Sequence, residues 1–130
     1  MEPEFPVVQI EIQEWDEDIM GELFLFDEFY YSDDDEFYNK YFYRKQFLDS
    51  TGRIFLAGEK VKIDNFMSKL GISMKYKVQY KATSEHWTFE EAKSFLISKI
   101  EELPSPEGKK EWINSLNKAK TIKQLIEAER

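Results

Sequence analysis

An α+β domain, with an antiparallel sheet of about five strands packed against two or three C-terminal helices, is the fold this sequence predicts. Three observations carry that expectation. Strand-like patterning fills roughly the first 82 residues, helical periodicity begins at Thr88, and the first 58 residues contain no helical stripe. A chain of 130 residues suits one domain, here spanning 1–130, and is long enough to bury a core without metal or disulfide staples.

Residues 5–14 alternate, Val8, Ile10 and Ile12 against Gln9, Glu11 and Gln13, and predict a half-buried strand. After a polar turn at Asp16, Glu17 and Asp18, residues 21–31 carry apolar side chains on both parities. That predicts a strand covered on both faces or interrupted by a bulge. Residues 32–36 are a serine and four carboxylates, whose mutual repulsion predicts an open loop. Residues 37–48 then resume a long β-prone run.

Asp49-Ser50-Thr51-Gly52 is a reverse-turn signal, because aspartate bonds back to the following backbone and glycine accepts positive φ. Residues 53–57 should return antiparallel. Ile63, Phe66, Met67 and Leu70 share a helical face that Gly71 is placed to end, predicting a short helix near 63–70. Residues 72–82 alternate most cleanly, with Ile72, Met74, Tyr76, Val78, Tyr80 and Ala82 on an apolar side and Lys75, Lys77 and Lys81 on a basic one. Those lysines are expected to pair with Glu22, Glu28 or the acidic run across the sheet.

Thr88 and Glu91 have capping-box spacing, and Phe89, Ala92, Phe95, Leu96, Ile100 and Leu103 form the stripe of a helix reaching about Leu103. Ser105 suits the N-cap and Pro106 the first position of a second helix, which carries Trp112, Ile113, Leu116 and Ala119. Its stripe is expected to pack inside the monomer. Thr121 and Gln124 repeat the capping spacing and open a last short helix with Ile122, Leu125 and Ile126.

Charge is the most informative feature for function. The first 39 residues hold fourteen carboxylates and no lysine or arginine, whereas the remaining 91 hold twelve acids and eighteen bases. The two parts sum to −14 and +6, giving the net charge of −8. This balance opposes binding to nucleic acid and anionic lipid, and no apolar run reaches the length of a membrane helix. An N-terminus without a basic, apolar leader predicts a cytoplasmic protein. With no cysteine, the chain has no disulfides and no thiol chemistry.

Motifs for catalysis do not stand out. The five glycines are too dispersed for a phosphate loop, and no GxSxG elbow occurs. His86 is the only histidine, and with Glu90 it gives two ligands where metal sites need three or four. Read as an EF-hand from Asp33, the acidic run places Phe37, Tyr38 and Arg44 where a ligand, a glycine and a glutamate are needed. No catalytic residue, metal or cofactor is therefore assigned. The expected role is a non-enzymatic interaction module for a basic protein, of which an inhibitor or immunity protein is one form. Asp33, Asp34, Asp35 and Glu36 would steer the partner, and Tyr30, Tyr31 and Tyr38 would anchor it. The alternative is a small-molecule-binding domain or enzyme using carboxylate, tyrosine or His86 chemistry in a cleft between sheet and helices.

Overall fold

The computed structural model describes residues 1–63 and 75–128 and has the expected α+β architecture, with six strands among the described residues. These are β1 (Val7–Gln9), β2 (Phe24–Leu25), β3 (Phe29–Tyr30), β4 (Gln46–Leu48), β5 (Arg53–Lys62) and β6 (Tyr76–His86). A 3-10 turn (Met20–Leu23) precedes β2, and helix α1 (Asp35–Tyr41) lies between β3 and β4. Helices α2 (Phe89–Glu101), α3 (Lys109–Lys118) and α4 (Ile122–Glu127) follow the sheet. Beyond Ile63, the helix expected near 63–70 lies outside the described residues, as does the start of the strand expected from residue 72. No described helix is long and apolar enough to cross a membrane.

Every neighbouring strand pair is antiparallel, in the order β2-β1-β4-β5-β6-β3. The two edges, β2 and β3, are separated in sequence by residues 26–28 alone. Five interstrand steps would hold the edges of a flat sheet about 24 Å apart. The four residue steps from Leu25 to Phe29 reach about 14 Å at most. The sheet must curl, and it is nearly barrel-shaped.

Curling gives the sheet an inside and an outside. The inner cluster takes Val7, Tyr30, Phe47, Ala57 and Val78 from five strands, with Leu25 of β2 packed against it and Tyr38 and Phe42 added from α1 and its end. The outer cluster joins Val8, Leu48 and Ile54 to Leu96 and Ile100 of α2, Trp112 and Leu116 of α3, and Leu125 of α4. Adjacent residues such as Val7 and Val8, or Phe47 and Leu48, thus serve opposite cores, as the two-residue period of a strand requires.

Several elements depart from expectation for physical reasons. The strand expected over residues 5–14 is only β1, because Gln9 is buried and its Oε1 accepts from the amides of Glu11 and Ile12, both at 2.8 Å. Those bonds turn the chain away from the sheet. Within residues 21–31, Phe24 packs on the outer cluster and Leu25 on the inner one, but as part of two short strands joined by a bend that leaves Phe26 exposed.

The open loop expected at 32–36 ends at Asp34, and the strand expected through 37–48 is replaced by α1 and a three-residue β4. Asp34 is the N-cap, its Oδ1 accepting from Phe37 N at 3.0 Å, and Asp35 and Glu36 occupy the first turn. Carboxylates there meet the helix's unsatisfied N–H groups and dipole, so local attraction outweighs their mutual repulsion. Arg44, at φ 60°, then reverses the chain into β4.

The Asp49-Ser50-Thr51-Gly52 turn forms as expected. Asp49 is buried, with Oδ1 accepting from Thr51 N, Thr51 Oγ1 and Arg53 N, and Oδ2 accepting from Glu4 N. Gly52 sits at φ 95°, and a Cβ there would lie 2.4 Å from the carbonyl oxygen of Trp87. Only glycine fits this close approach, which ties the turn to the start of α2.

Thr88 and Glu91 form the expected reciprocal capping box of α2. The following helix starts later than expected, at Gly108 with φ 78°, because Ser105 and Pro106 belong to a preceding turn. Ser105 N donates to Glu17 Oε1, and Pro106 O accepts from Lys109 N. Thr121 caps α4 by accepting from Gln124 N, while Gln124 Oε1 accepts from Lys120 N.

Candidate functional site

All fourteen carboxylates of the first 39 residues are exposed. Among the described residues, the ion pairs within 4 Å are Lys60–Asp35 at 3.0 Å and Lys99–Glu102 at 3.9 Å. Thirteen of the fourteen therefore have no such partner among those residues. The expected pairing of Lys75, Lys77 and Lys81 with carboxylates is absent there, and Lys75 Nζ instead stands 3.8 Å from the centroid of the Phe29 ring. The cause is topological: β3 is two residues long, so it lays Phe29 and Tyr30 across β6 and leaves Glu28 and the acidic run beyond the ladder.

Like charges crowded on one surface repel until counterions screen them. The melting temperature should accordingly rise by a few degrees as salt is raised from roughly 10 to 500 mM, over which the Debye length falls from about 30 to about 4 Å. A melting temperature that falls with salt in a calorimetric series would mean that attractive pairs dominate.

The residues expected to contact a partner divide into two groups. Tyr30 and Tyr38 are 6% and 2% exposed, whereas Tyr31 is 59% exposed and bonds Asp27 Oδ2 through its hydroxyl. Tyr38 Oη donates to Gly58 O at 2.7 Å, and burial pushes its pKa up. Asp33 accepts from the Tyr76 hydroxyl, a bond that together with partial burial raises the Tyr76 pKa to about 12. Asp34 caps α1, Asp35 pairs with Lys60, and Glu36 stands exposed in the first turn.

Lys60 organises this region, and nothing in the local sequence marks it. Its Nζ lies 4.1 Å from the Tyr76 ring centroid and 5.4 Å from those of Tyr30 and Tyr38, and donates to Ser32 O at 3.0 Å. The lysine reaches this cage because β5 carries a register shift between Ala57 and Lys60. Strict alternation would have put Lys60 on the face opposite Ala57. The cage fixes the acidic segment to the barrel while leaving its carboxylates in water.

A second region combines residues distant in sequence. Met20, Phe24, Phe26, Trp112 and Ile126 line an apolar hollow of about 270 Å³. Phe26 is 57% exposed and stacks on Phe24 with centroids 6.3 Å apart. Trp112 stacks on Trp15 at 6.0 Å and donates from Nε1 to Ala128 O. A neighbouring hollow shares Met20 and Trp112 and adds Glu17 and Glu107, and a third shares Glu17 and adds Glu14, Asp16, Asp18 and Glu102. The cue in the sequence is Phe26, an aromatic followed directly by Asp27 and Glu28. His86 is exposed at the end of β6 opposite Arg53 and lines none of these hollows. Among the described residues, no group of three or more His, Asp or Glu side chains is arranged to hold a metal ion.

Compared with known proteins, the chain matches no family model, no curated protein and no solved structure.

Proposed function

We propose that this protein is a non-enzymatic protein–protein interaction module whose acidic, aromatic N-terminal half binds a basic partner, with an inhibitor or immunity protein as one concrete form. The supporting observation is that all fourteen N-terminal carboxylates are exposed while one is ion-paired among the described residues. Such a surface costs folding stability through self-repulsion and accelerates encounter with a cationic surface. It repels nucleic acid and anionic lipid. Enzyme-like chemistry has less support, because among the described residues the apolar hollow has no ionisable group on its walls and His86 lies elsewhere.

The test is capture by the tagged full chain from lysate of its source, washed at low and then high salt. A dominant basic protein released by salt is expected. Two paired reversals, Glu14→Lys with Asp18→Lys and Glu28→Lys with Glu36→Lys, made together should reduce its recovery about tenfold, since all four side chains are exposed and make no hydrogen bond or ion pair among the described residues. Recovery insensitive to salt and to both reversals would refute the proposal.

A further inference from the structure

We infer that the trough running from the Met20, Phe24, Phe26, Trp112 hollow to the Glu14, Asp16, Asp18, Glu102 hollow is a docking groove for a basic protein segment with one apolar anchor. This rests on the proposed role as a binder of basic partners and locates the contact on the molecule. The hollows adjoin in series, since the first two share Met20 and Trp112 and the last two share Glu17, and this series is the proposed groove. Its two ends differ in chemistry. One is apolar, with the exposed Phe26 ring standing over it; the other is walled by five carboxylates counting Glu17.

Charge complementarity selects the occupant. Of the five carboxylates, Glu102 lies 3.9 Å from Lys99, while Glu14, Asp16, Glu17 and Asp18 have no cation within 4 Å among the described residues, Glu17 accepting from Ser105 N and Asp16 from Asp18 N. Among the described residues the one cation on the groove wall, Lys109, donates to Glu101 O at 2.9 Å. A segment placing a Leu or Phe against Phe26 and Trp112, and two or more Lys or Arg toward Asp16 and Asp18, would match both ends. An acyl chain beneath an anionic headgroup would match only the first, and a phosphate backbone neither.

The groove is also held in shape before any partner arrives. Asp16 O accepts from both Ile19 N and Met20 N, Glu17 Oε1 ties this turn to Ser105, and Trp112 Nε1 ties α3 to Ala128. Walls fixed this way reduce the ordering cost of binding. Phe26 and the acidic end are positioned by contacts that do not need their exposed surfaces. Those surfaces remain for contact.

The test uses the isotopically labelled full chain titrated with a synthetic amphipathic helical peptide carrying a Leu/Phe stripe and lysines, followed by amide and indole NMR shifts. Two controls are the same peptide with Glu for every Lys, and the Lys peptide with its stripe replaced by Ser. Shifts are expected at Met20, Phe26 and the Trp112 indole, with binding by the Leu/Phe–Lys peptide alone. Phe26→Ser, and separately Glu14→Lys with Asp18→Lys, should each weaken it at least tenfold, while Glu28→Lys with Glu36→Lys should change it less than about twofold. All of these positions are exposed, so the variants keep the fold, and unchanged amide dispersion checks this. Shifts confined to β3 and α1, or equal binding of the stripe-less Lys peptide, would overturn the groove and leave the broader role standing. Absence of binding up to about 1 mM would also overturn the groove. The wider proposal falls only if charge-dependent capture fails as well.

Discussion

Replacing Phe42 by alanine is expected to cost about 3–5 kcal/mol of folding stability, the usual range for emptying a fully buried aromatic site. Phe42 has no exposed surface and lies at the hinge between α1 and the barrel. Its ring stacks on Tyr38 at 5.5 Å and on Phe47 at 5.4 Å, and meets Tyr30 edge-on at 5.0 Å. Few neighbours can collapse into the space, because Phe47 is fixed in β4 and Tyr38 is tied to Gly58. Against a typical total of about 5–15 kcal/mol this is a large fraction. Urea denaturation should show a lower midpoint at unchanged slope, with Phe42→Leu recovering roughly half the loss. A loss under about 1 kcal/mol would be inconsistent with α1 packing on the inner core.

The second large effect is expected for Lys60→Ala, at roughly 2–4 kcal/mol, as three cation–π contacts, a charged hydrogen bond and the packed stem are lost together. The Lys60 side chain is 8% exposed and that of its partner Asp35 is 78% exposed. This asymmetry separates the cage from the ion pair. An exposed carboxylate contributes little to such a pair, so Asp35→Asn should cost less than about 1 kcal/mol. Lys60→Met, which keeps most of the stem, should fall between the two. Equal losses in Lys60→Ala and Asp35→Asn would mean that the ion pair, not the ring cage, holds α1. Because Asp33, Asp34 and Asp35 flank this cage, Lys60→Ala is also expected to broaden their amide signals, whereas Phe42→Ala acts on the core beneath them.

Much of the fold was legible because it is written in short-range chemistry. The capping residues of α2 and α4, the Asp49 to Gly52 turn and the helical stripes depend on partners within about four residues. The acidic polarity was equally legible, since charge sums need no coordinates. Residues 35–41 were misread for a definable reason. Phe37, Tyr38, Tyr41 and Phe42 fit a helical stripe that the reading of the first 58 residues as stripe-free passed over, since aromatics also favour strands and the run continues without a break into β4. The Asp34 cap and the inner core that Tyr38 and Phe42 fill decided between them.

By itself the sequence determined an α+β order of elements, the places where α2, α4 and the main turn begin, and an N-terminal part that carries all the excess negative charge. Only the tertiary structure decided that this charge stays exposed, that Lys60 is caged by tyrosines 16, 22 and 30 positions away, and that Trp112 and Phe26 share one hollow. The physical reason is range. Caps and turns are settled by neighbours along the chain, whereas the curl imposed by the short β2–β3 connection and the register shift in β5 set which distant side chains meet.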